Sequence, residues 1–261
     1  MSKINLIIAL CVRDCEAHLS GVLLNIKNIR SLFNKTMVIF VESDSHDATL
    51  DIINEYSEKN EAVKVINHGN LSEKISERTD RIAHCRNSYL DVAEGLKDEY
   101  QYLLILDGDS ASSEMISDQS ILSNFKNDDW DMVTSNQPEG YYDIWALRHE
   151  GLMPFDCWKE YSKYNTKEAF DYFITSRFLK IHPDEEWIQV QSAFGGAGII
   201  KIESIKGARH IGHTDDGSQI CEWVPFCNFL NDSKARIFIN PKFINSTVVS
   251  EHIKANLAVF G

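Results

Sequence analysis

Between residues 4 and 107 short apolar runs alternate with segments of helical periodicity, and this alternation restricts the chain to an α/β fold. Ile4 to Cys11 and Met37 to Val41 are continuous apolar runs of strand length. The first is followed by Ala17 to Leu32, in which Leu19, Val22, Leu23, Ile26 and Ile29 recur at helical spacing, and the second by a turn and a helix over Thr49 to Lys59. Val63 to Asn67 reads as a short third strand, a helix runs from about Asp80 to Leu96, and a strand starting at Tyr102 ends at Asp107. Repeated β-α-β units predict a Rossmann-like, mostly parallel sheet with helices on both faces. Ligands of such sheets collect at the carboxyl ends of the strands, where Arg13, Glu42 and Asp107 fall.

The second half is less regular. Trp130 to Asn136, Tyr141 to Leu147 and Ile237 to Ile244 read as strands, and the aromatic stretch Phe155 to Lys180 as helix. Trp187 to Ile202 is apolar but contains Phe194-Gly195-Gly196-Ala197-Gly198, a glycine density that marks a bulge or a close backbone approach. There is no internal repeat, low-complexity tract or Pro/Gly/Ser linker. Residues 1–261 therefore read as one domain, with a nucleotide-side half (1–110) and a smaller mixed acceptor-side half (111–261) sharing one cleft.

With 26 Lys and Arg against 39 Asp and Glu, the formal charge of −13 argues against a nucleic-acid partner, which needs basic surface. Any phosphate must be met by local cations. The six cysteines have no CxxC or metal-finger spacing and read as reduced thiols. The apolar stretch from Ile4 to Leu10 is too short to span a bilayer and is followed at once by Arg13, Asp14 and Glu16. The expectation is a first strand, no transmembrane segment, and a cytoplasmic protein, free or peripheral to a membrane.

Asp107-Gly108-Asp109 places two carboxylates where an apolar strand leaves the core. Carboxylates held this close repel unless a proton or cation relieves them, and oxygen ligands suit Mg²⁺ or Mn²⁺. An acidic turn has the same composition. Glu42, at the end of the second strand, can accept from a ring N–H of a base, while Ser45 and Asp47 suit a helix N-cap. Arg78, Arg81 and Arg86 offer forks for a diphosphate or partners for Glu77, Asp80 and Asp91. Glu222, flanked by Cys221, Trp223, Val224 and Phe226, has the desolvated setting of a general base, or pairs with Arg209 or Arg236; Asp215 and Asp216 are the reserve. Strand alternation from Tyr141 to Leu147 would put Tyr142 on one face and Asp143 and Trp145 on the other, either as a core strand of β-formers with Asp143 and Arg148 as a buried ion pair or as an aromatic face of the cleft.

In order and spacing, VESDSHDAT, the Arg86-Asn87 segment and LILDGD resemble the GT-A fold of nucleotide-sugar glycosyltransferases. YYDIWALRHEG, VQSAFGGAGIIK, CEWVPF and RIFINPKF are similar to segments of the fungal capsule-associated α-1,3-mannosyltransferase family, over about Ile7 to Phe243. The resemblance implies that Cys11, Val12 and Arg13 cradle the nucleoside, that Glu42 contacts the base, and that Arg81 and Arg86 lie near the diphosphate. It makes Asp109 the direct metal ligand, with Asp107 and Gly108 also at the nucleotide and His252 a third ligand. Glu222, Asp143 and Arg148 take catalytic roles, and Tyr142, Trp145, Gly195 and Gly196 the acceptor side. The fungal relatives often carry Asn-Asp where this chain has Asp-Gly-Asp, which strengthens the metal reading and weakens a close match. The implied reaction is Mn²⁺- or Mg²⁺-dependent transfer of a hexose, with mannose the family's indication, from a GDP- or UDP-sugar to a glycan or lipid-linked acceptor. Two alternatives stand beside it. A sugar-phosphate nucleotidyltransferase is disfavoured because Leu10 to Asp14 lacks glycine. The other is a non-catalytic sugar- or nucleotide-binding module of the same fold.

Overall fold

The structure, a computed structural model, describes residues 3–249 and 253–254. Its strands are β1 (Asn5–Val12), β2 (Lys35–Glu42), β3 (Val63–Asn67), β4 (Tyr102–Asp107), β5 (Met132–Asn136), β6 (Ile188–Val190), β7 (Ala197–Lys201) and β8 (Ile237–Ile244). They form one eight-stranded sheet in the order β3-β2-β1-β4-β7-β5-β8-β6. The first four are mutually parallel, whereas β7 runs antiparallel to both β4 and β5, and β6 antiparallel to β8. The helices are α1 (Glu16–Leu32), α2 (Thr49–Lys59), α3 (Arg78–Gly95), α4 (Asp118–Ser123), α5 (Cys157–Ser162), α6 (Lys167–Phe173) and α7 (Trp223–Asp232).

Strand periodicity explains why β1 and β4 are apolar throughout: successive side chains enter opposite cores. Leu6, Ile8 and Leu10 meet Leu19, Val22 and Ile26 of α1 on one face, together with Leu104 and Leu106. Ile7 and Ala9 face the other core with Leu103, Ile105, Tyr89 and Leu90 of α3, and Phe226 and Leu230 of α7. With helices covering both faces, only the strand ends are open to solvent chemistry. β1, β2 and β4 finish side by side, with Val12 opposite Glu42 and Cys11 opposite Asp107.

Two expected elements are different. Tyr141 to Leu147 is not a strand: Tyr141 makes a single bridge to Leu179, and Ile144 N–H turns back onto the Tyr142 carbonyl at 2.9 Å. The Asp143 carboxylate accepts from Ala146 N–H and, at 2.9 Å, from Gly195 N–H, which stabilises the turn against an extended chain. Tyr141 and Tyr142 are therefore both buried and the expected alternation is lost. Phe155 to Lys180 is broken into α5, α6 and a 3-10 turn at Thr175–Arg177. The break lies at Asn165, which has φ 52°, and Asp156 and Thr166 cap the two short helices.

Gly195 and Gly196 lie in the turn between β6 and β7, with φ of 71° and 84°, while Gly198 is within β7. A Cβ on Gly196 would lie 2.9 Å from Ala111 Cβ, Asn245 Nδ2 and Tyr142 Oη. Gly196→Ala combines left-handed strain with overpacking and is expected to cost about 2–5 kcal/mol in urea unfolding. Gly69→Ala, with φ 62° but no atom within 4 Å of its Cβ, carries only the conformational term and is expected to cost about 1–2 kcal/mol.

Candidate active site

A cleft of about 520 Å³ opens at the ends of β1, β2 and β4. Its first wall is built by the loops that follow β1 and β2, and the polar residues of VESDSHDAT lace these loops together. Ser45 Oγ accepts from Asp14 N–H, Asp47 from Glu16 N–H, and Thr49 Oγ1 from Cys15 N–H at 2.8 Å. In return Asp14 accepts from His46 N–H at 2.7 Å. Asp47 is thus a bridge between the starts of α1 and α2. Glu42 is used up in the same lacing: it is 3% exposed, accepts from Ser45 N–H at 3.0 Å, and does not line the cleft. Val41, Ser43 and Asp44 line it instead, with Asp44 held at φ 60°.

The floor is the turn after β4. Gly108 separates the two aspartates because this turn presses on the end of β1: a Cβ there would lie 2.7 Å from Val12 Cγ1 and 3.2 Å from the Cys11 carbonyl. Asp109 caps the 3-10 turn Ser110–Ser112 by accepting from Ala111 N–H at 2.9 Å. Behind it, Asn25 of α1 donates to the carbonyls of Ser112 and Glu114 and accepts from Ile116 N–H, fixing the loop to the helix. Asp107, Gly108 and Asp109 all line the cleft. Two carboxylates on a braced turn are a hard-oxygen donor pair, which fits Mg²⁺ or Mn²⁺ bound through few protein ligands with positions left for phosphate and water. Among the described residues no three His, Cys, Asp or Glu side chains form a larger cluster, and His252 lies outside the described residues.

Arg86 joins floor to back wall. Its Nε donates to Glu222 Oε1 at 2.8 Å, its Nη2 to Asp107 Oδ1 at 3.4 Å and its Nη1 to Tyr89 Oη at 3.3 Å. The guanidinium also lies 4.8 Å from the ring centroids of both Phe194 and Trp223. Glu222 therefore meets neither Arg209, which pairs with Asp91 and Glu94, nor Arg236, which pairs with Asp129. Of the two expected settings for Glu222, a desolvated carboxyl or an arginine pair, the structure has a buried arginine pair, with Arg86 of α3 as the partner. Arg81 lines the cleft while donating to the carbonyls of Ile75 and Ser76; Arg78 and the exposed Arg13 line it too. Cys11, Cys15, Cys85 and Cys221 border the same space, and burial raises each thiol, Cys15 to about 11, which keeps them protonated.

The far wall carries Tyr142, Asp143, Trp145, Trp158, Phe194 and Trp223. Three expected residues sit behind it. Arg148 does not line the cleft but donates to the carbonyls of Trp145 and Leu147 and to Asp156 at 2.9 Å, bracing the turn. Gly195 and Gly196 are buried: Gly195 N–H goes to Asp143, and its carbonyl accepts from Ser135, Gln137 and Asn245. They shape the wall from within. Asp215 and Asp216 lie on an exposed hairpin, outside the cleft lining, that docks on α3 through His213 and Asp80. Trp158 and Asp44 were missed; the aromatic run signals the first, whereas the backbone turn that exposes the second has no sequence mark.

Arg86→Ala would leave Glu222 and Asp107 without their buried cation and is expected to destabilise the fold by about 3–5 kcal/mol, measured by urea titration, with Arg86→Ala/Glu222→Gln partly restored. His210, 2% exposed and stacked on Phe226, has its pKa pushed well down by burial and by Arg86. The folded state therefore favours neutral His210. Its contribution is complete above the unfolded value of about 6.5 and is lost as pH falls toward the depressed folded value, at about 1.4 kcal/mol per pH unit. His210→Phe should flatten the unfolding free energy across that window.

Comparison with curated protein sequences returned no match. Among solved structures, GalNAc-T7 with UDP, GalNAc and Mn²⁺ superposes at a TM-score of 0.52 with 12% identity, over 92% of this chain and 43% of that one. TarS of S. aureus gives 0.52 with 13% identity, over 90% and 35%. Mannosyltransferase PcManGT from Pyrobaculum calidifontis, in complex with GDP-Man and Mn²⁺, gives 0.47 with 13% identity, over 90% and 56%. This chain thus spans about half, or less, of the length of these proteins. At such identities the likeness to GalNAc-T7 and TarS shows the fold alone. The sequence profile of glycosyl transferase family 2 matches residues 8–186, more than half of the chain, and the protein belongs to that family.

Proposed function

We propose that the protein transfers a hexose from a nucleoside-diphosphate sugar to a glycan or lipid-linked acceptor. The observation that carries this reading is the Asp107-Gly108-Asp109 turn on the floor of a cleft whose nucleotide-side wall bears Arg13, Arg78 and Arg81. In a chain of formal charge −13, three arginines around one cavity are where a diphosphate finds its counter-charge. The complexes of GalNAc-T7 with UDP and Mn²⁺ and of PcManGT with GDP-Man and Mn²⁺ are consistent with it.

Asp109 and Asp107 would hold the divalent cation, which when bound neutralises charge on the departing nucleoside diphosphate. Arg78 and Arg81 extend that stabilisation along the phosphates, and Cys11, Val12 and Arg13 border the nucleoside. Arg86 keeps Asp107 and Glu222 in place. The acceptor hydroxyl must lose a proton as its oxygen joins the anomeric carbon, and Glu222 of the back wall and Asp143 of the far wall are carboxylates of the cleft that can accept it in an inverting reaction. A retaining reaction, the outcome implied by an α-linked mannosyl product, needs neither as base. Among the described residues no helix is long and apolar enough to cross a membrane.

Calorimetry with Mn²⁺ should show UDP or GDP binding, and donor hydrolysis across UDP- and GDP-sugars should identify the sugar; no binding of either nucleotide would overturn the proposal. Asp109→Asn preserves an acceptor for Ala111 N–H but weakens metal ligation, so Mn²⁺-dependent hydrolysis should fall by about 100-fold or more with the unfolding midpoint nearly unchanged. Glu222→Gln should bind donor normally while transfer falls.

A further inference from the structure

The α5–α6 hairpin brings Trp158 to the cleft, and its other aromatic residues are arranged around a buried centre of Tyr161 and Phe170. Trp158 of α5 lines the cleft and contacts the rings of Tyr161 and Phe170, with centroids 6.0 and 6.2 Å away. One turn further along α6, Phe173 is stacked by Tyr164 at 5.9 Å with 15° between planes, and met edge-on by Tyr172 at 4.9 Å. Arg177 covers Tyr172 and Phe155 at 4.8 and 5.2 Å. Tyr164 and Tyr172 are 60% and 59% exposed, so the hydrophobic core does not account for them.

We propose that this hairpin is a carbohydrate-binding track that receives the part of the acceptor glycan lying beyond its reacting sugar, which makes the preferred acceptor an oligosaccharide. The assignment of the cleft's acceptor side rests on the glycosyltransferase reading; the track adds the size and class of acceptor. Exposed tyrosines present flat apolar faces to sugar C–H groups and hydroxyls to sugar hydroxyls, and Arg177 adds a fixed fork. The entrance is set by Asp156. Its Oδ2 accepts from Trp145 Nε1 at 3.1 Å and from Arg148 at 2.9 Å, while its Oδ1 caps α5 at Lys159 N–H. One carboxylate thus holds Trp145 and Trp158, from two segments, at the same mouth.

The test uses the whole protein, with linear manno- and gluco-oligosaccharides of one to five units as probes in calorimetry, and the variant Tyr164→Ala/Tyr172→Ala, whose side chains are exposed. Affinity for one of the two series should rise about tenfold or more from monomer to pentamer, and the double variant should lose most of that gain while its donor hydrolysis is unchanged. Affinity independent of chain length in both series, or a double variant that binds the pentamer as the wild type does, would overturn the track. Vesicle co-sedimentation on phosphatidylcholine with phosphatidylserine that disappears in the double variant would overturn it in favour of a membrane surface. Absence of donor hydrolysis in the wild type bears instead on the proposed reaction, because the oligosaccharide titration reads the track without a donor.

Discussion

A single buried guanidinium, that of Arg86, holds the cleft together. An unpaired charge in that position would be prohibitive, so its burial requires Glu222, Asp107 and Tyr89 to converge on it and Phe194 and Trp223 to flank it. These partners come from α3, the end of β4, the start of α7 and the turn before β7. Floor and back wall are thereby set relative to each other. Arg86, expected near a diphosphate from sequence, lines the cleft while its guanidinium is tied to Glu222, Asp107 and Tyr89, and Arg13, Arg78 and Arg81 line the same space.

The same economy recurs in the loops. Ser45 and Asp47 suit helix caps in sequence, and Asp47 does accept from Thr49 N–H, but together with Thr49 their oxygens also bind the backbone that follows β1, making a wall of two short segments that neither could form alone. Gly108 is conformationally ordinary; it is required because Val12 and Cys11 occupy the space a side chain would need. Asn25 reaches from α1 to fix the loop that carries the cap of Asp109. Residues that bear the chemistry are held by residues that bear none.

The first half of the fold was readable because buried parallel strands and amphipathic helices have distinct periods: the helix Thr49–Lys59 and the strand Val63–Asn67 occur with the expected bounds. β8 does so as well. Tyr141 to Leu147 failed because apolar alternation is also produced by a turn buried on all sides, once Asp143 satisfies its backbone. Phe155 to Lys180 is helical as expected but divided, because aromatic density does not distinguish one helix from two capped short ones.

What the sequence by itself determined is the α/β alternation, the apolar strands that end just before Arg13 and at Asp107, and an acidic charge balance in which basic groups are few. Those follow from local periodicity and composition. Only the tertiary structure decided the partners: Glu222 with Arg86 instead of Arg209 or Arg236, Glu42 turned inward, Gly195 and Gly196 behind the wall, and Trp158 brought beside Trp145 by Asp156. Pairing between groups more than a hundred residues apart, as for Arg86 and Glu222, depends on how helices pack across a sheet, and no local pattern encodes which of several charges will meet.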